Sequence, residues 1–124
     1  MSNNNIINLT QHQATMEQVT AGVVDLSGNS LEALKSNLTF NSMPNKKGIV
    51  ERAERLASLA FAHGFKRAMI GGAPYLMGPL EEALKGYGIT PLYAFSERIS
   101  KEEVQPDGTV RKVNIFKHQG FIEV

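Results

Sequence analysis

Ala68-Met69-Ile70-Gly71-Gly72-Ala73-Pro74-Tyr75-Leu76-Met77 holds three kinds of local structure in one short stretch. The first three side chains form an apolar run that stops at glycine, the pattern of a short strand buried in a sheet. The glycines free the backbone for a tight turn, and Pro74 suits the first turn of a helix. Leu76, Met77, Leu80, Ala83 and Leu84 follow at helical spacing, so the strand feeds directly into an amphipathic helix. Pro79 lacks the N–H that would bond back to Tyr75. The helix therefore either kinks there or restarts at Pro79, with Glu81 and Glu82 favouring its positive end.

Upstream, Ile49, Ala53, Leu56, Ala57 and Ala60 share one helical face, Glu51, Arg52, Glu54 and Arg55 fall mostly on the other, and Gly64 closes the helix. His63 at that end reads as a cap, since a cation there favours the helix dipole. Residues 27–45 are less regular. Asn29 or Ser30 can start a helical turn through Leu31, Leu34 and Leu38, and Ser42-Met43-Pro44-Asn45 has loop chemistry. Nearer the start, Ile6-Ile7-Asn8-Leu9 reads as a first strand stopped by the polar Thr10-Gln11-His12-Gln13. Thr15 and Gln18 have capping-box spacing for a short helix running towards Gly22, and Val23-Val24-Asp25-Leu26 reads as a second strand. Residues 1–4 are expected to fray.

Downstream, Gly86 and Gly88 end the helix, and Pro91-Leu92-Tyr93-Ala94-Phe95 is a fourth strand with Pro91 confined to its start. Pro106-Asp107-Gly108 is a hairpin turn that sets Gln105 against Thr109. Counting outward places Glu103 opposite Arg111, Glu102 opposite Lys112, Ile99 opposite Ile115 and Glu97 opposite Lys117. Three opposite-charge pairs and one aliphatic pair thus agree on one register. The same register brings Ser96 to His118 and Arg98 to Phe116 on one face, with Lys117 read as a surface ion pair to Glu97. The expectation is one α/β domain over 1–124: three layers, a mainly parallel central sheet and a C-terminal antiparallel hairpin over 98–118.

Composition narrows the chemistry. The chain has 124 residues, no cysteine, 13 Lys+Arg against 12 Asp+Glu and a formal net charge of +1. That length fits a single domain, and the lack of Cys removes disulfides, thiolate nucleophiles and Cys-based metal sites. His12, His63 and His118 lie far apart without metal-ligand spacing, so no metal and no cofactor are expected. No apolar run approaches a membrane span and the start lacks the basic residues of a signal peptide, which points to a cytoplasmic protein. Residues 1–45 carry a net −2 and residues 46–124 a net +3. Such mild asymmetry argues against duplex DNA and leaves room for a small anionic ligand.

In parallel sheets ligands sit beyond the carboxyl ends of the strands, and three segments qualify: Thr10–Gln13, Gly71–Tyr75, and a strand exit at Ser96–Arg98. Gly71, Gly72 and Ala73 offer backbone N–H groups and a helix N-terminus, the requirements for holding phosphate or carboxylate, although a tight turn needs the same glycines. Thr10, Gln11 and His12 offer a hydroxyl, an amide and an imidazole suited to sugar hydroxyls or a base edge. Arg98 can neutralise a phosphate and Ser96 can donate to one; His118 is an acid–base group only if the hairpin reaches the crevice. Tyr75 follows the glycine turn directly and is the aromatic best placed to meet a ligand.

These residues carry a resemblance. Tyr75-Leu76-Met77, Gly88-Ile89, Pro91-Leu92-Tyr93-Ala94, Arg98, Glu102-Glu103, Asp107-Gly108, Val110, Lys112 and Phe116-Lys117-His118 resemble small stand-alone CRISPR-associated proteins with a CARF-like fold. Proteins of that family act as ring nucleases on cyclic oligoadenylate messengers. The likeness is strongest over 69–118 and looser for Thr10-Gln11-His12 with Ala14-Thr15; residues 27–66 do not match. It implies a Rossmann-like homodimer with a two-fold pocket, and metal-independent cleavage of a cyclic oligoadenylate, first of all cyclic tetra-adenylate, to linear products in prokaryotic or phage antiviral signalling. Carried over, Thr10, Gln11, Gly71, Gly72, Ala73, Tyr75 and His118 face the messenger, and Arg98, Ser96 and His12 are the candidate catalytic groups. A nucleotide-binding or protein-interaction module with the same fold, but no cleavage, is the alternative.

Overall fold

The computed structural model describes residues 4–124. Of the segment expected to fray, residues 1–3 lie outside the described residues. The elements are β1 (Ile6–Leu9), α1 (Met16–Thr20), β2 (Val23–Val24), α2 (Gly28–Leu38), α3 (Lys46–Ala62), β3 (Arg67–Ile70), α4 (Pro74–Gly86), β4 (Thr90–Val104) and β5 (Val110–Glu123). They form one five-stranded sheet in the order β2-β1-β3-β4-β5. The first four strands are parallel and β5 runs antiparallel to β4. The expected α/β class, mainly parallel with an antiparallel end, is the one observed.

Strand alternation divides the core. Ile7, Leu9, Ala68 and Ile70 point to one face, where Leu34 and Leu38 of α2, Ala53, Leu56, Ala57 and Ala60 of α3, and Leu76, Leu80 and Leu84 of α4 bury them. Ile6, Val23, Met69 and Leu92 point to the other face and meet only Ala14 and Phe121 among partly buried hydrophobics. The three-layer expectation is corrected accordingly. The described α2, α3 and α4 share one layer, while α1 has five residues and buries none of them. An element so short has no apolar stripe with which to build a second helical layer.

Local signals explain most of the elements. Both halves of the Thr15–Gln18 capping box are formed, and Asn45 caps α3 through the Gly48 N–H at 2.8 Å. His63 ends α3 with its Nδ1 at 2.9 Å from the Leu59 carbonyl, the cap read from its position. α4 runs unbroken through Pro79 and does not restart there. The irregular stretch after Leu26 holds a full helix, α2, whose Leu34 and Leu38 are buried.

β4 departs most from expectation. It does not end near Phe95 but continues to Val104, so the proposed strand exit at Ser96–Arg98 is continuous strand. β5 accounts for this, since it pairs with β4 from Val104↔Val110 to Leu92↔Glu123 and gives the inward-facing backbone groups of the extension their partners. Every register pair read from the sequence is present, from Glu103↔Arg111 to Ser96↔His118. The Gln105 N–H donates to the Thr109 carbonyl at 2.7 Å, and Gly108 takes a φ of 85°. One feature is corrected: Glu97 and Lys117 face each other without an ion pair. Among the described residues the charged contact within 4 Å is Arg55 with Glu51, at 3.9 Å.

Candidate functional site

The chain leaves β1 for β2 on one side and returns through α2 and α3 to β3 on the other. The carboxyl ends of β1 and β3 therefore flank a topological switch point, where neighbouring connections diverge and leave a crevice. A crevice of about 440 Å³ opens there, lined among others by Thr10, Gln11, His12, Gly71, Gly72 and Ala94. Behind the Thr10–Gln13 loop a second cavity of about 360 Å³ is lined by Asn8, Asp25, Leu34 and Lys35 as well as by that loop. Two of the three expected segments thus converge.

What holds the Thr10–Gln13 loop is Asn8, which is only 3% exposed. Its amide nitrogen donates to the His12 carbonyl at 2.8 Å and to Asp25 Oδ1 at 2.7 Å. Its oxygen accepts from the Thr10 N–H at 2.9 Å and the Thr10 hydroxyl at 2.7 Å. That uses the full capacity of a side-chain amide, and only this orientation of the amide satisfies all four partners. Asp25 also accepts the Ala14 N–H at 3.1 Å. Asn8 and Asp25 therefore fix the crevice wall, and neither was singled out from the sequence. The available signal was a polar amide inside a four-residue strand that is otherwise apolar.

The network also settles what the candidate side chains are doing. The Thr10 hydroxyl is engaged within the loop, and the Gln11 amide donates to the Thr39 hydroxyl at 3.3 Å, tying the loop to the end of α2. His12 is exposed and lines both cavities. Gly72 has a φ of 148°, a conformation that L side chains rarely adopt, and a Cβ there would lie 3.6 Å from Met77. Ala73 precedes α4 with no side-chain cap, and Pro74 occupies the first turn. Pro74 has no N–H and the Leu76 N–H donates to the Ala73 carbonyl at 3.0 Å, so what the start of this thirteen-residue helix brings beside the Gly71–Gly72 turn is chiefly its dipole.

Tyr75 does not line this crevice. It packs edge-on to Phe40 with ring centroids 5.1 Å apart and lines a separate pocket with Ser42, Met43, Pro44 and Ile49. Arg52 covers the same Phe40 ring, 4.2 Å from its centroid. The aromatic that does reach the crevice is Tyr93, whose hydroxyl donates to Glu81 Oε2 at 2.6 Å. Burial first, and then the Glu81 carboxylate, push this phenol well above its ordinary value.

Ser96 and Arg98 continue the strand face of Ala94. At about 3.4 Å per residue they lie roughly 7 and 14 Å beyond the rim, and both are exposed. His118, opposite Ser96, packs on the Phe121 ring at 4.9 Å and has its Nδ1 buried without a partner. A register shift between Phe95 and Ser96 inserts Gln119 and puts these two rings, three residues apart, on one face. No Lys or Arg lines the described walls of the 440 Å³ crevice.

No helix among the described residues is long and apolar enough to cross a membrane. Comparison with curated proteins and with solved structures returns no match. A family model matches residues 4–122, nearly the whole chain, and on that match the chain belongs to the Uncharacterized protein MJ1673 family.

Proposed function

We propose that the chain is a Rossmann-like, CARF-like protein that binds a cyclic oligoadenylate, with cyclic tetra-adenylate as the first candidate, at the β1/β3 crevice. It opens the ring without a metal, in the cytoplasm, as part of prokaryotic or phage antiviral signalling. One observation carries this reading: the Thr10–Gln13 loop and the Gly71–Gly72 turn that leads into α4 line one crevice at the switch point. That pairing sets His12 and Gln13 on the wall for ribose and base, near the positive end of the α4 dipole for phosphate.

In the proposed reaction a ribose 2′-oxygen attacks the adjacent phosphorus, the bond from phosphorus to the 5′-oxygen breaks, and the proton lost by the 2′-hydroxyl is matched by one gained at the 5′-oxygen. The protein's part is to hold the attacking and leaving oxygens in line and to stabilise the added charge. The His12 imidazole is the titratable side chain on the crevice wall suited to that proton. Arg98 and Ser96 contribute from a second copy or after the ribbon bends, because both lie beyond the rim. A single crevice of about 440 Å³ is of single-ligand size. A ring of four nucleotides therefore favours a homodimer.

The uncharged crevice lining supports a second reading, in which the ring or another nucleotide is bound and not cut. Incubation with cyclic tetra-adenylate in EDTA separates the two. Linear products, lost in His12→Ala, support cleavage; saturable binding with intact ring recovered supports the binding module. Neither cleavage nor a thermal shift would overturn both.

A further inference from the structure

β4 and β5 outrun the rest of the sheet. From Ser96 to Val104 and from Val110 to Lys117 every residue is exposed except the half-buried Val113, and no other strand pairs with this ribbon. A two-stranded ribbon bare on both faces is marginal in water, and its apolar side chains gain most from being covered. Tyr93 packs on the helical side of the sheet, so Phe95, Glu97, Ile99, Lys101 and Glu103 continue that face, with Ile122, Lys117, Ile115, Val113 and Arg111 beside them.

The face has an apolar centre and charged ends. Phe95 is 52% exposed, Ile122 49%, Ile115 40% and Ile99 37%. Glu97 and Lys117 lie towards the sheet, and Glu103 and Arg111 towards the turn. None of these four charges is within 4 Å of an opposite charge among the described residues. On this face the acids stand on β4 beside one Lys, and β5 carries only bases, so the face is complementary to itself.

We infer that this ribbon face docks against the same face of a second copy, about a two-fold axis running along the ribbon. That axis lays β4 of one copy over β5 of the other: Glu97 over Lys117 of the partner subunit, Glu103 over Arg111 of the partner subunit, and Ile99 over Ile115 of the partner subunit. An axis across the ribbon would stack Glu97 on Glu103 and Lys117 on Arg111, like on like, so the charge pattern selects the lengthwise one. The inference deepens the homodimer element of the proposed function and does not depend on which ligand is bound.

Sedimentation equilibrium and cysteine pairing test it. The wild type is expected to be a dimer, and Ile115→Glu a folded monomer with unchanged circular dichroism that melts as the wild type does when diluted until it dissociates. Glu97→Lys is expected to weaken dimerisation roughly tenfold, because the two-fold replaces two attractive pairs by two repulsive ones. Adding Lys117→Glu to it restores association. The chain lacks cysteine, so an equal mixture of Ile99→Cys and Ile115→Cys is expected to give mainly the mixed disulfide on mild oxidation. A monomeric wild type, an Ile115→Glu dimer, or like-with-like disulfides from each variant alone would overturn the inference. A dimer indifferent to cyclic tetra-adenylate sinks the ligand reading and leaves this one standing; a monomer that binds the ring does the reverse.

Discussion

The parallel half of the sheet and the β4–β5 ribbon use similar residues to opposite ends. β1 is four residues long and buried at every position, whereas the stretch of β4 beyond Phe95 is exposed throughout. Each strand of the ribbon has a ladder partner on one side only, whereas β1 and β3 are paired on both. The difference is what lies on the faces. In the parallel half, helices and loops remove Ile7, Leu9 and Ala68 from water, so stability comes from burial. In the ribbon, geometry comes from a turn and from cross-strand neighbours, and burial is left for another surface to supply. The lesson is that register and stability are separable: the ribbon has a well-specified register with little of its own surface buried.

Mutations sharpen that contrast. Leu80 is fully buried in α4, and Leu80→Ala is expected to lower unfolding free energy by about 2–5 kcal/mol in urea titration. The matching change Ile99→Ala in the ribbon is expected to cost the monomer less than about 0.5 kcal/mol. Equal losses at the two sites would erase the distinction.

Asn8→Ala removes the amide that joins β1, the Thr10–Gln13 loop and Asp25, leaving buried groups unpaired at a cost of about 1–3 kcal/mol. Asn8→Asp is the sharper test. The new carboxylate would sit against Asp25 and would lose the two N–H donors, so the variant's deficit is expected to shrink as pH falls and the pair takes up a proton. A pH-independent deficit would argue against the network.

Gly72→Ala is expected to cost about 1–3 kcal/mol, because at a φ of 148° the strain is in the backbone rather than in the surrounding space. The smallest effect concerns Tyr93. A phenol whose folded value is raised binds its proton more tightly when folded, so its contribution is fully present below about pH 10 and is lost as pH rises past that. Tyr93→Phe should therefore flatten the alkaline limb of the stability curve, measured by chemical denaturation between neutral and alkaline pH.

How legible all this was follows from the range of the interactions. Thr15 and Gln18, or the Pro106-Asp107-Gly108 turn, act over three or four residues, and both were readable as they stand in the fold. The hairpin register followed from charge alternation even though the charges make no close pairs, because opposite neighbours are fixed once the turn is. The continuation of β4 through Ser96 to Val104 was harder to read. Its polar sequence resembles a strand ending, and only pairing with β5 extends it. Asn8 was passed over because an amide in an apolar strand has no meaning until Asp25, seventeen residues away, is brought to its nitrogen.

The sequence by itself determined the α/β class, the strand–glycine turn–helix unit at Ala68–Met77 and the register of the hairpin, since each depends on periodicity or on contacts a few residues apart. The tertiary structure alone decided the β2-β1-β3-β4-β5 order, the single helical layer and which candidate residues meet. It joined Thr10–Gln13 to Gly71–Gly72 and left Tyr75, Ser96 and Arg98 outside. Side-chain direction along a strand is local; which strands lie side by side depends on burial summed over the whole chain.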